Sequence, residues 1–157
     1  MKQHIYADNA ATTKLDEAAF EAMKPWLLEE YGNASQPYTF SRKPKKALEA
    51  ARFSIAESIG AYPDEIYFTS GGTESDNWAI KAPVFHAIER KTVITSSFEH
   101  HAVLNSCASI EQRGFPVIYI DPNEYGQILP ETLNSHIRKD TRLVSIMFVN
   151  NEIGTIQ

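Results

Sequence analysis

From Glu65 to Val149 the chain switches repeatedly between short apolar runs and segments with a helical hydrophobic period. That alternation constrains the fold more than any other feature. Strand Glu65–Thr69 is followed by a helix from about Glu74 to Arg90. Strand Thr92–Ser96 is followed by a helix from about Glu99 to Arg113. Strand Pro116–Ile120 leads through a loop to a short helix, Pro130 to Ile137, and strand Arg142–Val149 comes last. The rhythm predicts an α/β fold with right-handed crossovers and a mostly parallel sheet flanked by helices. The runs "TVITS", "VIYI" and "LVSIMFV" are almost continuously apolar, as expected of strands covered on both faces.

The first 64 residues read differently. A short strand, "HIYA", precedes a polar loop, Asp8 to Thr13. A helix is expected from Asp16 to about Tyr31. Phe20, Met23 and Leu27 share one of its faces, and Pro25 should bend or split it. "YGNASQPYTF" is a loop by its Gly, Asn, Ser and Pro content. A second helix, about Ser41 to Ile59, carries a stripe of Leu48, Ala51, Ile55 and Ile59 expected to be buried, with Gly60 as a left-handed stop.

With 157 residues, 43% of them hydrophobic and 22% charged, the chain can bury a core of its own. A net charge of −5 argues against nucleic acid as a main partner. The basic cluster Arg42, Lys43, Lys45 and Lys46 reads as a solvated helix start, since no aromatic stripe accompanies it. Cys107 is the one cysteine, so no internal disulfide is possible and a reducing compartment is expected. It falls with Val103 and Ile110 on the apolar stripe of its helix and reads as a small buried hydrophobe. The start, "MKQHIYADNAATT", has no signal-peptide run, and no stretch reaches the roughly 18 apolar residues of a membrane span. These features point to the cytoplasm and to no membrane.

In a parallel sheet the carboxyl ends of all strands share one edge, where ligands bind. Three such ends carry unusual polar chemistry: "SGGTE" (70–74), "SSFEHH" (96–101) and "NNEIG" (150–154). The first offers the backbone N–H groups of Gly72 and Thr73, plus the Thr73 hydroxyl, at a helix N-terminus. That is a place for an anion, a phosphate above all. A plain Ser/Thr cap with a tight turn is the alternative. The motif is neither GxxxxGK[ST] nor GxGxxG. The second loop offers His100 and His101, of which at most one is expected to face the crevice. Adjacent histidines make a poor metal pair, and no metal site is expected. The third offers Asn150 and Asn151, residues that also favour turns.

The segments "IYADNAATT", "GNAS", "FTSGGTESDNWAIK", "EHHAVLNSC" and "VSIMFVNNEIGTIQ" together resemble, in order and spacing, the cysteine desulfurases of the NifS/IscS-like kind. These are pyridoxal 5′-phosphate (PLP) enzymes of the fold-type-I aminotransferase group. The resemblance runs from about Ile5 to Gln157. It implies the large domain of such an enzyme over residues 15–157, incomplete at its end, preceded by an N-terminal arm over residues 1–14. It implies conversion of L-cysteine to L-alanine, with sulfur passing as an enzyme persulfide to an acceptor protein for iron–sulfur cluster assembly or thiolation. It also implies positions: Gly72 and Thr73 match the residues that hold the PLP phosphate. His100 matches the histidine that stacks on the pyridine ring and assists proton transfer. Asn151 matches the asparagine near the phenolic oxygen.

Two departures stand in "GNASQPYTF". Ala34 replaces the family's usual proline, and Tyr38 stands roughly where a histidine is common. The family's PLP lysine, the aspartate that pairs with the pyridine nitrogen and the sulfur-carrying cysteine all lie beyond the "NNEIG" motif. None has a counterpart here, and the expectation is an N-terminal piece of a longer enzyme, inactive alone. Its unfilled apolar surface suits a homo-oligomer. The alternatives are another PLP-dependent lyase or aminotransferase such as a selenocysteine lyase, a truncated paralogue acting as an interaction protein, and a plain phosphate- or nucleotide-binding domain.

Overall fold

The computed structural model describes residues 4–86, 88 and 91–157. They form two compact units, Met1–Phe68 and Thr69–Gln157.

The first unit is built on two helices. Helix α1 (Glu17–Leu28) starts at Asp16, whose side chain accepts the Ala19 N–H at 3.0 Å, the usual service of an N-cap aspartate. It runs through Pro25 without splitting and stops three residues later, short of the expected Tyr31. A 3₁₀ turn, Thr39–Ser41, leads into α2 (Arg42–Ile59). Pro44 is tolerated because it sits in the first turn, where N–H groups have no intrahelical partner. Gly60 ends α2 at φ 68°, and its N–H closes back on the Ala56 and Glu57 carbonyls, as the sequence predicts. The expected buried stripe does not form: Leu48, Ile55 and Ile59 are 42%, 41% and 67% exposed, and Ala56 is the residue of α2 that is buried. Two strand expectations also fail. "HIYA" takes no regular structure. In place of strand Glu65–Thr69 there is a 3₁₀ turn, Pro63–Glu65, then irregular chain. Pro63 at the start of this turn has its φ preset. Glu65 accepts the Tyr62 N–H at 2.7 Å and fixes the turn. The Ile66 carbonyl is then taken by the Arg52 guanidinium, which also lies 4.8 Å from the Phe68 ring, so no ladder partner is engaged there.

The second unit holds the alternating pattern. Its elements are α3 (Gly72–Phe85), β1 (Thr92–Ser96), α4 (His101–Glu111), β2 (Val117–Ile120), α5 (Pro130–His136) and β3 (Thr141–Ser145). The expected end of α3 at Arg90 lies outside the described residues. The sheet has the order β2–β1–β3 and every pairing is parallel, with Ile94 opposite both Ile118 and Val144. Strand β3 is shorter than expected, and residues 146–149 leave the ladder. Val149 instead makes an isolated antiparallel bridge to Ile156.

The core is a seam between two helices and the central strand. Ile80 and Val84 of α3, Val103, Cys107 and Ile110 of α4, and Val93 of β1 form one buried cluster, with Phe115, Val117 and Leu143 packed on it. Each large aliphatic side chain buried this way contributes about 1.5–3 kcal/mol. Strand β1 is buried throughout, so its polar side chains need partners. Thr92 donates to Asp140 at 2.5 Å, Thr95 to the Ser145 carbonyl at 2.9 Å and Ser96 to Glu99 at 2.6 Å. Strands β2 and β3 are only half covered, contrary to the expectation of two covered faces: Tyr119 and Val144 are each 37% exposed.

Cys107 is fully buried, as its place on the α4 stripe predicts. Burial pushes its thiol up to about 11, and the carboxyl groups of Glu111 and Glu99 act in the same direction. In the unfolded chain the thiol ionises nearer pH 9. The unfolded state therefore sheds this proton first, and the stability contributed by the neutral thiol is complete below about pH 9 and declines up to about pH 11. Urea unfolding of the wild-type chain and Cys107→Ala should show the wild-type advantage shrinking across that window and steady below it.

Candidate functional site

Because β1 and β3 run parallel, the chain leaves both at the same edge of the sheet. From Ser96 it passes through residues 97–100 into α4. From Ser145 it passes into a turn at residues 150–153. A cavity of about 380 Å³ opens between these two segments, with Phe98, Glu99, His100, Asn150, Asn151 and Ile153 in its lining.

His100 is the N-cap of α4. Its Nδ1 accepts the Ala102 N–H at 3.1 Å, and its carbonyl accepts from Val103 and Leu104. The cap holds the ring in place and fixes the tautomer: with Nδ1 an acceptor, the neutral imidazole carries its proton on Nε2. His101 lines the same cavity, contrary to the expectation that at most one histidine would, and the two rings stand 6.5 Å apart. The expectation treated both as helical. His100 is the N-cap, with φ −56° and ψ 145°, so the fixed angular step between successive helical side chains does not apply to the pair. Among the described residues no group of three or more His, Cys, Asp or Glu is arranged to hold a metal ion.

The two asparagines divide their roles. Asn150 is buried and fully committed. Its Oδ1 accepts the Glu152 and Ile153 N–H groups at 2.9 and 3.0 Å, and its Nδ2 donates to the Phe98 carbonyl at 3.2 Å. Its carbonyl accepts from Gly154 at 2.8 Å. Asn151 is exposed at the cavity, and its side chain has no hydrogen-bond partner among the described residues. The segment after them is braced from a neighbouring loop: Gln157 bonds both the Ile128 N–H and the Gly126 carbonyl. Gly126 sits at φ 74°, a conformation strained for any other residue, and a Cβ there would press on the Ile153 Cδ1 at 2.5 Å, which would have to move.

Gly72 and Thr73 begin α3 and lie outside the lining of this cavity. Their loop is tied internally. Thr69 and Ser75 share a 2.7 Å hydrogen bond, and Ser70 donates both its N–H and its hydroxyl to Glu74, each at 2.7 Å. Those two bonds, the backbone one first, hold the Glu74 carboxyl below the usual carboxylate range. The first-turn N–H groups of Gly72 and Thr73 have no intrahelical acceptor, and the Thr73 hydroxyl has no partner among the described residues. A Cβ added at Gly71 or Gly72 would meet nothing within 4 Å, so packing within the chain does not account for glycine at either place. Unpaired donors beside open space are what an anion requires.

Sequence reasoning passed over Glu99. It is 6% exposed, and its Oε1 accepts both the Ser96 hydroxyl and the Met147 N–H, at 2.6 and 2.9 Å. The available signal was an acidic residue next to a helix start, where an exposed charge is the ordinary reading.

The profile of the aminotransferase class-V family matches residues 5–157, and the chain belongs to that family. It is 51% identical, over 98% of its length, to "Cysteine desulfurase IscS" of Methanosarcina thermophila, covering 38% of that protein. It is 50% identical over its whole length to the protein of the same name from Dictyoglomus turgidum, covering 40% of it. Among solved structures it superposes on a "NifS-like protein" with a TM-score of 0.93 at 39% identity, over 99% of this chain and 43% of that one. It superposes on "SspA in complex with cysteine" with a TM-score of 0.92 at 42% identity, over 97% of this chain and 44% of that one. The chain thus spans about 40% of the length of the curated relatives it matches. The α/β expectation, a parallel sheet flanked by helices, holds, and the neighbours are of the cysteine desulfurase kind named from the motifs.

The contrast between the asparagines is directly testable. Asn150→Ala removes a buried hydrogen-bonding side chain and should cost about 1–3 kcal/mol in urea unfolding. Asn151→Ala should stay within about 0.5 kcal/mol of wild type.

Proposed function

We propose that the chain is part of a PLP-dependent cysteine desulfurase and supplies the phosphate-binding turn and one side of the cofactor pocket. The observation that carries this is the pair His100 and Asn151: two residues matching the family's site positions, with unpaired polar atoms on one cavity. The unpaired donors at Gly72 and Thr73, with open space above Gly71 and Gly72, fit a phosphate.

In this reading Gly72 and Thr73 hold the PLP phosphate, through two backbone N–H groups and one hydroxyl at the positive end of α3. Asn151 would donate its side-chain N–H to the phenolic oxygen. His100 would lie against the pyridine ring and move a proton at Nε2, the ring nitrogen left free by the cap. PLP, when bound, supplies an electron sink for carbanion chemistry. The substrate is L-cysteine and the products are L-alanine and sulfur, carried as an enzyme persulfide to an acceptor protein. Cys107 does not carry that sulfur. It is fully buried, and its raised thiol pKa keeps it out of the reactive thiolate form. The sulfur-carrying cysteine and the PLP lysine come from outside these residues.

The reading extends to a homo-oligomer in the cytoplasm. The exposed Leu48, Ile55 and Ile59 support the first, and the single free cysteine supports the second. Among the described residues no helix is long and apolar enough to cross a membrane.

The test is turnover by the product of the whole reading frame that contains this segment. With PLP, L-cysteine and an added thiol reductant it should form alanine and sulfide, the reductant being oxidised to disulfide as it releases the persulfide sulfur. His100→Ala should lower kcat by about 100- to 10,000-fold. Thr73→Ala should weaken PLP binding by about 10- to 150-fold, the loss of one hydrogen bond to a charged group. The 157-residue chain alone should give no sulfide above free PLP. Untouched L-cysteine, or full turnover by His100→Ala, would overturn the assignment.

A further inference from the structure

Glu99 is the most deeply buried acidic side chain among the described residues, at 6% exposure, and no lysine or arginine pairs with it there. Two features make its burial tolerable. It stands one residue before the N-cap of α4, at the positive end of the helix. Its 2.6 Å bond from the Ser96 hydroxyl is as short as charge-assisted O–H···O bonds are.

The two donors it binds are far apart in sequence. Ser96 is the last residue of β1, and Met147 lies two residues past the end of β3. One oxygen therefore ties together the outgoing ends of two neighbouring strands. Next to it, the Phe98 carbonyl accepts from Asn150. Residues 98 and 99 of one segment are thus cross-linked to residues 147 and 150 of the other. His100 and Asn151 are the next residues along each. We propose that Glu99 is a positioning residue, clamping the two segments through Oε1 so that His100 is held with Asn151 on one cavity. The proposal rests on reading that cavity as the functional site.

The clamp depends on reach as well as on an acceptor. Aspartate keeps the carboxylate but is one methylene short, whereas glutamine keeps the length and an acceptor oxygen. The experiment compares Glu99→Asp with Glu99→Gln in the chain itself, by amide hydrogen exchange and by the nitrogen shifts of the His100 ring. In Glu99→Asp the Met147 amide should exchange about tenfold faster or more, the effect of losing one buried hydrogen bond. The His100 ring should lose the single-tautomer signature set by its cap. Glu99→Gln should restore both. The Val93 and Ile94 amides, inside the sheet, should stay at wild-type rates in both variants. In the whole enzyme, Glu99→Asp should lower kcat with KM unchanged, and Glu99→Gln should recover it. Wild-type Met147 and His100 signals in Glu99→Asp would overturn the proposal. So would equal acceleration at Val93 and Ile94, which would mark a general structural role. Exchange and ring shifts need neither PLP nor L-cysteine. A chain that passes them and a whole enzyme that never turns over L-cysteine would leave the clamp standing and remove the desulfurase reading.

Discussion

Parallel pairing of β1 with β3 forces two stretches of chain, 50 residues apart in sequence, to emerge side by side at one edge of the sheet. In an antiparallel pair the same two stretches would leave at opposite ends. The cavity between residues 97–101 and 150–153 follows from strand direction before any side chain is considered. Strand direction follows in turn from the helix between β1 and β2 and from the longer connection to β3, both of which return the chain to the starting edge.

Such an arrangement holds only if the central strand cannot shift. Every residue of β1 is buried, and a one-residue slip would turn each of its side chains to the other face. Val93 is held in the cluster with Ile80, Val84, Val103, Cys107 and Ile110, while Thr92 and Thr95 donate to Asp140 and to the Ser145 carbonyl in other segments. A slip would break both bonds and unseat the apolar packing together. The platform is therefore fixed by apolar area and by buried hydroxyls, and α4 starts from it with His100 as its cap.

Periodicity made the second unit legible. Helices α4 and α5 and strands β1 and β2 lie within two residues of where the hydrophobic pattern puts them, because local preference and burial agree there. It failed where tertiary context decided. "DEIYF" has a strand-like composition, but Pro63 starts a 3₁₀ turn and Arg52 takes the Ile66 carbonyl, which no reading of local sequence contains. Strand β3 ends at Ser145 although "MFV" continues the apolar run, because the Met147 N–H goes to Glu99 instead of the ladder. The stripe on α2 is amphipathic as its period predicts but is not covered, since periodicity reports which face is apolar and not what lies against it. At the site, two of the three polar loops singled out by residue type, 96–101 and 150–154, line one cavity, and Gly72 and Thr73 of the third lie outside its lining. Residue types did not separate Asn150 from Asn151, for hydrogen-bond commitments are not written in a dipeptide; only the family resemblance chose between them.

That separation runs through the whole edge. Asn150, Glu99 and Glu74 spend their polar atoms on the protein, and each is followed or preceded by a residue that does not. Beside Asn150 stands Asn151, beside Glu99 stands His100 with Nε2 free, and beside Glu74 stands Thr73 with its hydroxyl unpaired. A group kept for a ligand has to remain unpaired in the free protein, so it cannot fix its own position. A neighbour one residue away can do so at small entropic cost, because a single peptide unit joins the anchored backbone to the unpaired side chain. The "EH", "NN" and "TE" pairs are thus one solution used three times: the first member of "EH" and "NN", and the second of "TE", holds the loop, while its neighbour faces outward. The same logic explains why charge and burial alone misplace function here: Asn150 and Glu99 are buried supports, while Glu74 is a support as exposed as Thr73 beside it.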